Sequence, residues 1–272
     1  MSKALNSVLV AIILLTLPVS CTSSESGAEG KQAETGEVTV WYLGHCGYAV
    51  KTQNHLLIFD YIELEEEPGE RGLNKGFVDP KEIRDLAVSV FVTHSHVDHY
   101  DEVIFSWEKE IKNISYTFGW KAKDDPKYHY LEGPRAEMKL DDMEIYTVNS
   151  HHSQVPEVAY LVKVDSLVIY HGGDYQGKMG RNAHSNVKED MDYLKTKAGA
   201  PDLFFIGAWT GEPYMQSIES LDPKVIFPMH DRKREEKYKR FASDLKELGV
   251  ACPVICPEKR GDRFVFRNGE MQ

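Results

Sequence analysis

Thr93-His94-Ser95-His96-Val97-Asp98-His99 follows directly on the apolar run Leu86-Ala87-Val88-Ser89-Val90-Phe91-Val92. Three histidines and an aspartate fall within six positions, in a chain with only 11 histidines among 272 residues. A buried, partly β-branched run that gives way abruptly to polar residues reads as a strand ending in a tight loop at a sheet edge. Imidazole nitrogen and carboxylate oxygen are the ligands that a borderline divalent ion such as zinc prefers. In an extended segment His94, His96 and Asp98, two apart, line one side, while His99 breaks the period and is free to face a second ion. The stretch reads as a metal site at the end of a core strand.

Composition bounds what surrounds it. A hydrophobic fraction of 42% and an aromatic fraction of 11% are those of a globular chain, long enough to bury a sizeable core. The formal charge of −11 argues against nucleic acid as a partner, because phosphate contacts need clustered Lys and Arg.

The first twenty residues stand outside the fold. Lys3 supplies a small positive region, and Val8 to Leu17 is an apolar segment too short to span a bilayer comfortably, so it reads as a secretory signal. Leu17-Pro18-Val19-Ser20-Cys21 then resembles a bacterial lipobox, which implies cleavage before Cys21 and a lipid anchor on it. The expected location is a bacterial cell envelope, facing the periplasm or in the outer membrane if the cell is Gram-negative. Residues 21–37 are small, polar and acidic, the composition of a flexible tether. Contact with a membrane is expected only through that lipid.

From Val38 to the end, residues 38–272, the texture is that of one folded domain. Val38–Leu43, Tyr48–Lys51 and Leu56–Asp60 read as an antiparallel meander, and Glu63–Gly76 as a loop. Pro80–Asp85 reads as a short helix capped by Asp79, and Val103, Ile104, Trp107 and Ile111 give helical spacing after Asp101. Ile114–Phe118 is a strand. Gly119–Pro134 reads as a loop whose aromatics either wall a substrate site or pack on the surface. Strands follow at Met143–Val148, Val158–Val164, Leu167–Tyr170, Leu203–Ile206 and Val225–Phe227, with helices at Val187–Lys197 and Lys233–Leu248. Val254–Ile255 and Phe264–Phe266 close the sheet. Each half opens with antiparallel strands and continues into strand–helix alternation. The economical packing is an α/β (α+β) arrangement of two facing sheets with helices outside.

Three more apolar runs end in ligand-type residues, as the first does. They are Val148-Asn149-Ser150-His151-His152-Ser153, Ile169-Tyr170-His171-Gly172-Gly173-Asp174 and Val225-Ile226-Phe227-Pro228-Met229-His230. Separate strands delivering such residues to one edge can make them converge.

With these elements assembled, the chain resembles the metallo-β-lactamase superfamily, whose His-x-His-x-Asp-His motif stands here as His94, His96, Asp98 and His99. Gly173-Asp174, Phe227-Pro228-Met229-His230 and the opening Tyr42-Leu43-Gly44-His45-Cys46-Gly47-Tyr48 and Leu57-Ile58-Phe59-Asp60 are similar to the other parts of its pattern. Within it the chain looks closest to the branch of ascorbate-6-phosphate lactonase and the phospholipase-D-like N-acylphosphatidylethanolamine hydrolases. The resemblance implies a four-layer αββα sandwich of two mixed β-sheets flanked by helices. It also implies a first ion held by His94, His96 and one of His151 or His152, a second held by Asp98, His99 and His230, and Asp174 bridging both. Neighbours on a strand face opposite ways, so only one of His151 and His152 can point at the ion, and the small hydroxyl after His152 resembles the family pattern.

The implied cofactor is a pair of zinc ions, with manganese or iron(II) as alternatives. Two ions about 3.5–4 Å apart hold a water and lower its pKa to roughly 7. Asp98 would orient that bridging hydroxide as the catalytic residue. Hydrolysis of a lactone, amide, thioester or phosphodiester in a small-molecule or lipid-derived substrate follows. A non-catalytic, metal-holding surface lipoprotein and an iron-based redox member of the same fold are the competing readings.

Other residues carry weaker signals. His45, between a glycine and Cys46, either meets substrate, donates a proton or packs locally; His171 reads as support for the Asp174 loop. His184, Tyr175 and Trp209 lie in loops that could border the pocket. Gly172 and Gly173 read as turn formers that let Asp174 reach the ion. Cys46, Cys252 and Cys256 lack a metal-binding or redox spacing and read as small buried hydrophobes.

Overall fold

Six strands in chain order begin the fold: β1 (Val38–Gly44), β2 (Gly47–Lys51), β3 (His55–Phe59), β4 (Ala87–Val92), β5 (Ile114–Phe118) and β6 (Tyr128–Tyr130). A second group follows as β7 (Arg135–Leu140), β8 (Met143–Ser150), β9 (Glu157–Val164), β10 (Leu167–His171), β11 (Leu203–Gly207) and β12 (Val225–Met229). The chain then returns through β13 (Arg263–Arg267) and β14 (Glu270–Met271) to the edge of the first group. These assignments come from a computed structural model that describes residues 36–63, 68–150, 155–176, 186–231, 233–267 and 270–272. The expected signal segment, Cys21 and all of the expected tether before Gly36, together with His151, His152 and His184, lie outside the described residues. Glu37, at the end of the expected tether, is ion-paired with Arg267 of β13 at 2.7 Å.

The eight-stranded sheet has the order β14-β13-β1-β2-β3-β4-β5-β6 and the six-stranded sheet β12-β11-β10-β9-β8-β7. Both are mixed. From β1 to β3 pairing is antiparallel, and from β3 to β6 it is parallel. The second sheet repeats the scheme, antiparallel from β7 to β10 and parallel from β10 to β12.

Strand alternation explains how each sheet has two apolar faces. In β1, Val38, Val40 and Tyr42 enter the core between the sheets, whereas Trp41 and Leu43 face the outer layer. In β11, Leu203 and Phe205 point inward, and Phe204 and Ile206 outward. Three α-helices among the described residues cover the second sheet: α1 (Val187–Ala198), α2 (Glu212–Leu221) and α3 (Glu236–Glu247). Met191 and Leu194, Ile218 and Leu221, and Phe241 and Leu245 are the residues they bury there. Each such side chain removed from water contributes about 1.5–3 kcal/mol. The first sheet is covered more loosely, by 3-10 turns at Leu73–Lys75 and Glu102–Lys109 that seat Leu73, Ile104 and Trp107.

Several local expectations are corrected. Pro80–Asp85 is a series of turns, because the Asp79 carboxylate accepts from the Lys81 N–H at 3.0 Å and closes a turn instead of capping a helix. Gly119–Pro134 is not all loop, since Tyr128–Tyr130 pairs with β5. Val254 makes an isolated bridge to Ile226 in the second sheet, while Phe264–Phe266 joins the first at β1. Leu248, expected on the apolar stripe of α3, lies past its end and is exposed.

Candidate metal centre

The parallel strands β3, β4, β10 and β12 release their chains at carboxyl ends that carry Asp60, His94, Asp174 and His230. Mixed α/β sheets place their ligand sites at such ends. The alternation expected of an extended motif holds only as far as His94, which bridges to Glu157. From Ser95 the chain turns, with the N–H groups of His99 and Tyr100 both donating to His96 O at 3.0 and 2.9 Å. That turn, rather than a strand period, puts His99 beside His94, their ring centroids 4.1 Å apart. Val97 at its tip is 70% exposed, so the motif loop opens to solvent.

Beneath the motif lies a carboxylate that the motif pattern does not contain. Asp60 is fully buried and accepts from Thr93 N and Thr93 Oγ1, both at 2.8 Å, and from His99 Nδ1 at 2.7 Å. Because Thr93 Oγ1 donates to Asp60, it accepts from His94 Nδ1, 3.0 Å away. Asp60 therefore fixes the tautomer of two imidazoles, one directly and one through Thr93, and leaves both Nε2 atoms facing the cluster. Burial opposes ionisation of Asp60, but the neighbouring His171 and His99 hold its pKa below the usual carboxylate range. Gly173, with φ +53°, brings the Asp174 loop so near that an added Cβ would stand 2.8 Å from Thr93. Gly119 yields on the other side, where a Cβ would stand 2.2 Å from Thr93 O.

The ligand-type atoms converge. His94 Nε2 and His96 Nδ1 are 2.9 Å apart. Asp174 Oδ1 is 3.2 Å from His99 Nε2 and 3.3 Å from His230 Nε2. Asp98 Oδ2 stands 3.8 Å from His230 Nε2 and 3.5 Å from His45 Nε2. His45, Asp98, His99 and His230 each offer one atom within 4.8 Å of the others, as do Cys46, His99 and Asp174. Nitrogen and oxygen ligands about 2.0–2.2 Å from a single zinc ion would sit about 3.3–3.5 Å apart at tetrahedral angles. The His99–Asp174–His230 spacings match those edges, so the donor set fits a divalent ion.

Electrostatics agree with the geometry. His94 is pushed down to about 3 by burial and by the charge on His99. Burial opposes a charge on His99 too, but Cys46, Asp60 and Asp174 outweigh it and hold the ring well above the ordinary histidine range. His45 is pushed up to about 11, since Cys46, Asp231 and Asp98 overcome burial. Against their burial, Cys46 is held low by His99 and His45, and Asp174 by hydrogen bonds to His230 and His99. At Asp98 the neighbouring His45 imidazole lowers the carboxyl below its usual range.

Around this set the remaining residues support or border it. His171 stacks on Phe59 at 5.0 Å and donates through Nε2 to Cys46 O at 2.9 Å. Trp209 packs its ring 4.6 Å from that of His230. Tyr175 instead points into the helical layer and donates to Asp190 at 3.0 Å. Three further groups belong to the cluster: Asp60 and Cys46, which the sequence places in the opening stretches without a site role, and Glu157, which carries no sequence signal. Glu157 is buried, accepts from Asp174 N at 2.7 Å and lies 3.6 Å from His94 Nδ1. Burial and the charge of Asp174 raise its pKa well above the usual range. A carboxylate closing an apolar run, as Asp60 does after Leu57–Phe59, is the one sequence signal that could have found the first.

The sequence profile of the beta-lactamase superfamily domain matches residues 39–230. A UPF0173 metal-dependent hydrolase of Thermococcus kodakarensis is 26% identical over 240 residues, covering 79% of this chain and 97% of that protein. Among solved structures, the metallo hydrolase Igni18 of Ignicoccus hospitalis superposes with a TM-score of 0.56 at 17% identity, covering 85% of this chain and 99% of that one. The diiron β-hydroxylase CmlA of Streptomyces venezuelae gives 0.55 at 9% identity, covering 85% of this chain and 54% of that one. These last two are likenesses of fold.

Proposed function

This chain belongs to the metallo-β-lactamase superfamily, and we propose that it is a metal-dependent hydrolase with a dinuclear zinc centre at the carboxyl ends of its parallel strands. The observation that carries this reading is a single oxygen, Asp174 Oδ1, shared at 3.2 and 3.3 Å by imidazoles from two other strand ends. His94 and His96 would hold one ion, with His151 or His152. His99, His230 and Asp98 would hold the other, and Asp174 would join them. Bound there, divalent ions supply Lewis acidity and make hydroxide available near neutral pH.

The protein's own residues prepare that chemistry. Asp60 and Thr93 hold the Nδ1 sides of His94 and His99, so that their Nε2 atoms would be the ones to meet the ions. Asp98, partly open to solvent and 3.5 Å from His45 Nε2, is placed to orient the attacking water. His45 in turn is braced by Asp231 at 3.4 Å, itself bonded by Tyr42 at 3.1 Å. The open motif loop and the Trp209 ring beside His230 suit a small-molecule or lipid-derived substrate with a lactone, amide, thioester or phosphodiester bond.

The test is a screen of those four bond types before and after chelation. Activity on at least one class, lost on chelation and restored by zinc, is expected; hydrolysis indifferent to metal removal contradicts the reading. We also propose that the protein works as an envelope lipoprotein anchored through Cys21. Metabolic labelling with a fatty-acid analogue should tag the wild type and not Cys21→Ala, and labelling of neither contradicts the anchor.

A further inference from the structure

The β1–β2 turn places a thiol inside the cluster. Cys46 is buried, and its Sγ lies 3.8 Å from His99 Nε2, the same nitrogen that stands 3.2 Å from Asp174 Oδ1. Sulfur, nitrogen and oxygen all fall within 4.8 Å of one another. For a zinc–sulfur bond of about 2.3 Å and a zinc–nitrogen bond of about 2.0–2.1 Å, tetrahedral angles put the two ligand atoms about 3.6 Å apart. The observed separation is close to that edge.

The turn is built to hold the sulfur there. His45 adopts a left-handed conformation with φ 52°, an uncommon one for a side chain of its size. Its carbonyl accepts from His230 N at 3.1 Å and from Tyr238 OH at 3.3 Å. The carbonyl of Cys46 accepts from His171 Nε2 at 2.9 Å. Both peptide groups are thus tied outward to the second sheet and α3, and Sγ is left facing His99 and Asp174. A cysteine acting only as a small hydrophobe has no need of two ionisable neighbours.

We propose that Cys46 is an inner-sphere ligand of the second ion, adding a thiolate beside His99 and Asp174. The proposal rests on the metal-dependent reading above. On coordination the S–H bond is replaced by a sulfur–metal bond, and the proton leaves to solvent. A soft thiolate also biases this position towards zinc over manganese or magnesium.

Cobalt(II) added to the metal-free full-length protein separates the two claims. The expected spectrum has visible ligand-field bands, which report binding, and a near-ultraviolet sulfur-to-cobalt charge-transfer band. Cys46→Ser should keep the former, lose the latter and weaken zinc binding by at least about tenfold; Cys252→Ser with Cys256→Ser should keep both bands. Ligand-field bands with no charge-transfer band in the wild type, or a charge-transfer band that survives in Cys46→Ser, overturn the thiolate ligand and leave the metal-dependent reading standing. No cobalt binding at all overturns both. Should Cys46→Ser fail to fold, X-ray absorption on the zinc-loaded wild type decides instead: a zinc–sulfur shell near about 2.3 Å supports the ligand, and a shell of nitrogen and oxygen only rejects it.

Discussion

Each end of strand β3 lies beside a histidine among carboxylates, His55 at one and His99 against Asp60 at the other, and only the second has the build of a metal centre. At the amino end, His55 pairs with Asp142 at 2.7 Å, and Asp165 stands near enough for all three to share an ion. There the acids are already used. Asp165 accepts from Thr52 Oγ1 at 2.6 Å, Asn54 N at 2.8 Å and Asn54 Nδ2 at 2.6 Å, holding one hairpin turn against another. The left-handed Asp165 and Ser166 are what a two-residue hairpin demands. At the carboxyl end, Asp60 is buried, and left-handed Asp60 and His230 belong to no hairpin turn, while left-handed His45 opens the two-residue turn between β1 and β2. Each such residue costs on the order of 1–3 kcal/mol, and here the cost is offset by aiming side chains at one point. Spacing alone does not make a site; burial, convergence from separate strands and carboxylates that orient imidazoles do.

Mutations at the two ends should therefore differ in kind. The largest effect is expected from Asp174→Ala, which removes the oxygen shared by His99 and His230; hydrolysis should fall by more than about 100-fold with the fold retained by circular dichroism. Asp60→Asn is next. Its amide would set a donor against Thr93 Oγ1 and His99 Nδ1, turning both imidazoles, and should weaken zinc binding about 10–100-fold by calorimetry although Asp60 is no ligand. An unchanged affinity would mean that the imidazoles orient themselves.

Asp165→Ala, which removes three largely exposed hydrogen bonds, should lower stability by about 1–2 kcal/mol and leave metal content alone. Burial opposes ionisation of Asp165, but Thr52 and Asn54 depress its pKa in the folded state. Its contribution is therefore present above the unfolded value near 3.8 and is lost as pH falls below it, so urea melts of the variant and wild type should converge in acid. The smallest change belongs to His55→Gln, for which activity and metal content should match the wild type. Loss of metal there would erase the distinction between the two ends.

How much of this was legible follows from where the information lies. The β4 strand and its motif are plain because a largely apolar run ends in three histidines and an aspartate, and the layered plan follows from the recurrence of that layout. The path of the motif was not legible. Periodicity treats it as extended, whereas two backbone bonds to His96 O turn it. Helix α2 was missed because it is short and opens on Gly211-Glu212-Pro213, which reads as a loop, although a proline in the first turn is a helix-start signal. Strand β7 alternates cleanly through Arg135-Ala136-Glu137-Met138-Lys139-Leu140 but lacks β-branched residues. Asp60 and Cys46 escaped for a different reason, since their roles exist only once β1, β3 and β4 lie side by side.

Elemental analysis of the purified protein, wild type against His230→Ala, tests the central claim most directly. If strand ends far apart in sequence share a pair of ions, the wild type should hold about two per chain and the variant about one. Equal metal content in the two proteins, or none in either after zinc loading, would contradict the account.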